Sequence, residues 1–348
     1  MDKLIYIDID DYLKNFKEFP LIDVRTPAEY FKGHIPDACN IPLFSNEERA
    51  RIGTVYKQQS RSQAIELGLA YAKPKHEEYV SKACELAPQK QVVIHCWRGG
   101  MRSKAFAEHL VNNGFRKVYI IRNGYKAFRR YAMDSFKNLF QLYIIGGYTG
   151  SGKTRMLHSL KSMGMQAIDL EGHARHKGSA FGAIGQSKQP DTEHFTNELF
   201  WELKEMDKQK PLWLEDESIH IGKVFLPEVL FDQMRKTHLF FFDIPIEQRV
   251  NLLIQEYANF NNQLLAESVE RISKRLGGEN TKKAIHSIEQ NDYEQAVRIV
   301  LNYYDKYYLQ GLQKRPKDKV HIIHSTSTDP DYNVSLLLKE YEKIIDQM

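Results

Sequence analysis

Cysteine is scarce in this chain: three of 348 residues, Cys39, Cys84 and Cys96. They are too few and too unevenly spaced for a disulfide framework or a zinc site. Long apolar runs are missing as well, and none approaches the roughly 20 residues that a membrane-spanning helix needs. The first residues lack the basic-then-apolar layout of a signal peptide, which sets the expectation of a cytoplasmic protein with no membrane partner. There is no internal repeat and no low-complexity tract. Charge of one sign is also weak: 49 Lys and Arg stand against 45 Asp and Glu, a formal net charge of +4. Nucleic-acid binding therefore has to be read from local basic clusters.

What is present is ordinary globular material, 42% hydrophobic and 27% charged, at a length that favours two domains. Residues 21–24 and 92–94 read as short buried strands, 103–112 as a helix ending near Gly114, and 117–121 as the next strand. Such alternation argues for a parallel α/β sheet. Residues 45–90 form a polar, largely helical excursion, and 126–138 an amphipathic connecting helix. A second α/β unit opens at 142–145 and continues with a helix from Lys153 towards Met163. Further strands are expected at 167–170, 212–214, 239–242 and 320–323, with long helical material over about 246–312. The resulting division is 1–130 as a first domain, 131–140 as a linker helix and 141–348 as a second domain.

Two loops carry the chemistry. His95-Cys96-Trp97-Arg98-Gly99-Gly100-Met101-Arg102-Ser103 sets a thiol at a glycine- and arginine-rich turn before a helix. Cations and a helix N-terminus favour thiolate, and the turn's amides can nest an anion. Gly147-Tyr148-Thr149-Gly150-Ser151-Gly152-Lys153-Thr154 fits Gly-x-x-x-x-Gly-Lys-Ser/Thr, with a strand before it and a helix after it. Gly147, Thr149, Gly150, Ser151, Gly152, Lys153 and Thr154 are the expected phosphate-binding residues, and Thr154 can hold a magnesium ion. Glu215 or Asp216, at the end of an apolar strand, could supply the magnesium-side carboxylate; a solvated strand end is the bland alternative.

Asp23-Val24-Arg25-Thr26-Pro27-Ala28-Glu29-Tyr30, then Gly33-His34-Ile35-Pro36 and Asn40-Ile41-Pro42, resembles the N-terminal signature of rhodanese domains over about residues 5–130. That resemblance implies a sulfurtransferase fold with Cys96 as the carrier. His95-Cys96-x5-Arg102-Ser103 also fits the loop of cysteine phosphatases, although this loop holds no carboxylate to act as general acid.

The joint pattern goes further. A rhodanese-like parallel-sheet domain followed by a P-loop NTPase-like α/β domain with a helical insertion resembles the tRNA 2-selenouridine synthases. The likeness includes Cys96 to Lys104, the phosphate loop, Asp169-Leu170-Glu171-Gly172, 177–182 and Glu215-Asp216-Glu217-Ser218. It implies a two-step reaction on tRNA carrying 2-thiouridine at the wobble position. The sulfur is first alkylated with a geranyl group from geranyl diphosphate, and selenium from selenophosphate then replaces the S-geranyl group. No tightly bound cofactor is implied, and the selenophosphate-producing enzyme is a candidate partner. Cys96, Arg98 and Arg102 fall to the selenium step. Candidate tRNA contacts are Arg175, His176 and Lys177 with Arg271, Lys274 and Arg275, beside Tyr303, Tyr304, Tyr307 and Tyr308. Phe181, Phe195, Phe200 and Trp201 could line a geranyl pocket or serve as ordinary core. The rival reading is a rhodanese sulfurtransferase fused to an ATP-dependent kinase or NTPase acting on a small molecule.

Overall fold

Short, mostly apolar runs form the strands of the first sheet, the two-residue β3 apart: β1 (Leu4–Ile7), β2 (Leu21–Asp23), β3 (Cys39–Asn40), β4 (Gln91–His95) and β5 (Lys117–Ile121). They order as β1-β5-β4-β2-β3, with every pairing parallel. Val92, Val93, Ile94, Val118, Ile120 and Ile121 are wholly buried, as expected where helices cover both faces of a parallel sheet. The computed structural model describes residues 4–137 and 141–346.

The polar excursion is three helices, Asn46–Gln58, Arg61–Ala72 and His76–Leu86. The first is started by a capping box, Ser45 with Glu48, which satisfies two amides that a helix start leaves open. The helix after the cysteine loop begins two residues earlier than expected, at Met101. The connecting helix spans Gly124–Ser135, so the expected linker helix over 131–140 stops at its fifth residue; 138–140 lie outside the described residues.

The second sheet comprises β6 (Leu142–Gly147), β7 (Gln166–Ile168) and β8 (Leu212–Glu215), then, past a two-stranded hairpin of β9 (His220–Ile221) and β10 (Val224–Phe225), β11 (His238–Asp243) and β12 (Val320–His324). Its order is β12-β11-β6-β8-β7, again wholly parallel. The expected strand over 167–170 ends at Ile168. Asp169 instead caps a helix, Leu170–Ala174, accepting the Gly172 amide at 2.6 Å. Between β11 and β12 lie the helices Ile246–Tyr257, Asn262–Arg271, Ser273–Leu276, Gly278–Glu289 and Tyr293–Leu312. Four of these contribute to a separate apolar core that includes Leu265, Val269, Leu276, Ile288, Ala296 and Val300. The chain divides into two units, Met1–Ser135 with Thr196–Trp201, and Phe136–Phe195 with Glu202–Met348.

Candidate functional site

Each loop follows the carboxyl end of a central strand, where open parallel sheets place their ligands. The cysteine loop leaves β4. Its shape is set from behind by the turn after β5: the amides of Tyr125 and Lys126 donate to the carbonyls of Cys96 and Trp97 at 2.9 and 3.0 Å. Those oxygens are thereby spent. The amides from Trp97 to Arg102 have no acceptor among the described residues, leaving a nest of donors at the start of a twelve-residue helix. Gly99 and Gly124 both sit at positive φ, 60° and 50°. A Cβ on Gly124 would collide with the Cys96 carbonyl.

Cys96 is buried, and its Sγ lies 3.4 Å from Ser103 Oγ, which donates to the Gly100 carbonyl. The two arginines part company. Arg98 is exposed, with no hydrogen bond or ion pair among the described residues. Arg102 is committed to Glu29 through both guanidinium nitrogens, at 2.7 and 3.2 Å. Burial opposes ionisation of Glu29, but Arg102 holds its carboxyl below the usual range. Glu29 also closes the capping box with Thr26, so Arg102 serves first to tie the loop to that helix. Beneath them, Arg25 and Asp23 form a fully buried pair at 2.6 Å, and Arg25 also donates to the Gly33 carbonyl. The Arg25 guanidinium lies 3.8 Å over the Tyr125 ring. These groups hold the floor of the loop.

The phosphate loop leaves β6, with Gly150 and Gly152 at φ 81° and 78°. Arg249 anchors it from outside: it pairs with Asp305 and donates to the Thr149 carbonyl at 3.1 Å. Thr154 Oγ1 lies 3.0 Å from Glu215 Oε2 and 3.1 Å from Glu171 Oε2. One hydroxyl proton cannot serve both acceptors, so Thr154 donates to one carboxyl and the other is held close without that bond. Burial, and then the neighbouring carboxylates, drive Glu171 and Glu215 well above the usual range and Glu217 up to about 7. Lys153 opposes these shifts in all three.

Glu215 thus meets Thr154, whereas Asp216 lines the pocket with its carboxylate bound to Arg315, Arg235 and the Tyr308 hydroxyl. Glu171 and Glu217, not singled out as site residues from sequence, line the same polar pocket as Lys153, Thr154 and Lys177. Among the described residues no group of three or more His, Cys, Asp or Glu could cage a metal.

An apolar cavity of about 60 Å³ adjoins this pocket, and the two share Thr149, Ser179, Leu253, Tyr257 and Tyr304. Of the four expected linings only Phe181 is present. Phe195 is core, and Phe200 and Trp201 group with the first unit. The cavity wall comes instead from the helical block.

Two family models match: a rhodanese-like domain over residues 8–131 and the tRNA 2-selenouridine synthase AAA domain over 140–330. A tRNA 2-selenouridine synthase from Hydrogenovibrio crunogenus is 35% identical, covering 86% of this chain and 91% of its own. That from Marinobacter nauticus is 32% identical over 97% of this chain and 94% of its own, and that from Nitrosomonas europaea 32% over 89% and 93%. The chain belongs to the tRNA 2-selenouridine synthase family.

In this tRNA 2-selenouridine synthase family member the basic residues proposed from sequence are unequal. Arg271, Lys274 and Arg275 are exposed, with Arg275 over the Tyr307 ring at 5.7 Å. Lys177 lines the polar pocket and pairs with Glu256, and Arg175 reaches the Lys188 carbonyl. His176 is buried, and burial lowers its pKa; it is withdrawn from any phosphate. Tyr304 and Tyr308 are likewise spent inside, on the Ala180 amide and on Asp216. Tyr307 is exposed, and Tyr303 packs between Tyr304 and Tyr307.

Proposed function

We propose that this protein modifies tRNA, converting wobble 2-thiouridine to 2-selenouridine through an S-geranyl intermediate, with geranyl diphosphate and selenophosphate as donors. The observation that carries the reading is the apolar cavity opening onto the phosphate loop, a polar cradle joined to an uncharged slot. A prenyl diphosphate uses both parts, its diphosphate in the polar cradle and its hydrocarbon in the apolar slot.

In the first step the thiocarbonyl sulfur attacks C1 of the prenyl chain. A C–S bond forms, the C–O bond to diphosphate breaks, and the uridine N3 proton is released. Lys153 and the amides of the glycine loop stabilise the departing charge. Thr154 and Glu215 offer the hard oxygen donors that a magnesium ion takes alongside substrate phosphates; when bound, the ion would neutralise part of the diphosphate charge. In the second step the selenium of selenophosphate bonds to C2, the C–S bond breaks and geranylthiol leaves with a proton; water then cleaves the Se–P bond, releasing phosphate and leaving selenium on C2. The amide nest beside Cys96, with Arg98 free at its rim, suits a phosphate-sized anion such as selenophosphate, and Arg102 positions that nest through Glu29.

The two loops therefore separate on mutation. Lys153→Ala should lower geranyl transfer by a factor of at least about 100, while Cys96→Ala should still geranylate and fail to selenate. Mass analysis of tRNA nucleosides reads both. Geranylation lost in Cys96→Ala, or kept in Lys153→Ala, contradicts the assignment.

A further inference from the structure

The apolar cavity has a direction, and the helix Tyr293–Leu312 measures it. Tyr304, Leu301, Val300, Val297, Ala296 and Tyr293 all line the space, at spacings that keep them on one helix face. Tyr304 also lines the polar pocket and so stands at the mouth. Its hydroxyl takes the Ala180 amide at 2.9 Å, which fixes the ring. From there Tyr293 lies eleven residues away, about 16 Å along the helix. Its hydroxyl is tethered, 2.9 Å from Asn262 Oδ1 and 3.0 Å from Asn291 Oδ1. Ala296, one turn nearer the mouth, is a small residue on that face. No charged side chain lines the cavity.

We infer that Tyr293 and Ala296 set the length of hydrocarbon chain that the protein accepts, Tyr293 as the floor and Ala296 as the space above it. The inference rests on the chain-transfer reading given above. Three bonds of extended chain cover about 3.5 Å, so a ten-carbon prenyl main chain of seven bonds spans about 8 Å and a fifteen-carbon one about 13 Å. With the diphosphate held above Tyr304, the shorter chain ends between Val300 and Ala296. The longer chain reaches the level of Ala296, about 3 Å from the level of Tyr293, and so ends against that floor.

The test uses the full-length protein with five-, ten- and fifteen-carbon prenyl diphosphates, scored by mass of the alkylated nucleoside. Tyr293→Ala should raise the fifteen-to-ten-carbon ratio of kcat/KM by at least about tenfold, and Ala296→Phe should lower the ten-to-five-carbon ratio by a similar factor. Inhibition by inorganic diphosphate should be unchanged in both, which shows an intact phosphate loop. Identical length preference in both variants and the unaltered protein overturns the ruler alone. Transfer of no chain by the unaltered protein overturns the chain-transfer reading and the ruler with it.

Discussion

At the scale of single residues, the chain places ionisable groups where water cannot reach and fixes their states by neighbours. His95 is fully buried, and burial pushes its pKa down to about 4 against Asp23, which favours its charge. Its Nε2 has no hydrogen-bond partner among the described residues. Asp23 is held below its usual range: burial opposes ionisation, but His95 and the Arg25 hydrogen bonds outweigh it. Above pH 4 His95 is neutral, so Arg25 does this at working pH. For His95 the folded state resists protonation more than the unfolded state does. Stability is full above pH 6.5 and falls as pH drops from 6.5 towards 4, by about 3 kcal/mol from this group. His95→Gln should remove that part of the acid loss, visible as a flatter thermal midpoint between pH 6.5 and 4. An unchanged slope would mean that His95 is not the group titrating.

Elements explain what was legible in the sequence and what was not. The parallel sheets could be read because their central strands, such as 92–94 and 239–242, are continuous apolar runs. The loops were legible because glycine at positive φ and a strand–turn–helix context leave a local trace. The two-residue strand Cys39–Asn40, the hairpin at 220–225 and the last helix, Pro330–Ile345, were not read; pairing defines the first two, whereas the third does carry a start signal, Asp329 as cap before Pro330. Glu171 was quoted within a stretch but given no role, because its place beside Thr154 depends on β7 and β8 lying side by side. The cavity wall was hidden for another reason: residues 293–304 recur at helical spacing, which core packing produces equally well. Asp216 looked equivalent to Glu215, yet Glu215 ends the strand wholly buried against Thr154, while Asp216 lines the pocket with its carboxylate taken by Arg315, Arg235 and Tyr308. The turn that backs the cysteine loop gives the prediction at this scale. Gly124→Ala combines a left-handed backbone with a Cβ driven into the Cys96 carbonyl, and should cost about 1–3 kcal/mol. Selenation should fall well before geranyl transfer does, measured as separate rates on one preparation. Equal losses in the two rates would show that the turn supports the whole fold and not this loop.

At the scale of the molecule, the cysteine loop and the glycine loop occupy two units of one chain, each after a central strand of its own parallel sheet. One loop opens onto an uncharged cavity and the other sets a buried thiol beside a ring of free amides. The family relationship covers nearly the whole length, so both loops lie within one tRNA 2-selenouridine synthase family chain, and the proposed function assigns them to successive steps on one RNA. The account stands or falls on that activity being two chemical steps. The measurement is mass analysis of nucleosides from tRNA carrying wobble 2-thiouridine, incubated with the unaltered protein and each donor alone or both together. The account predicts S-geranyl-2-thiouridine with geranyl diphosphate alone, 2-selenouridine only with both donors, and no change with selenophosphate alone. Selenouridine formed from selenophosphate without the prenyl donor would contradict it.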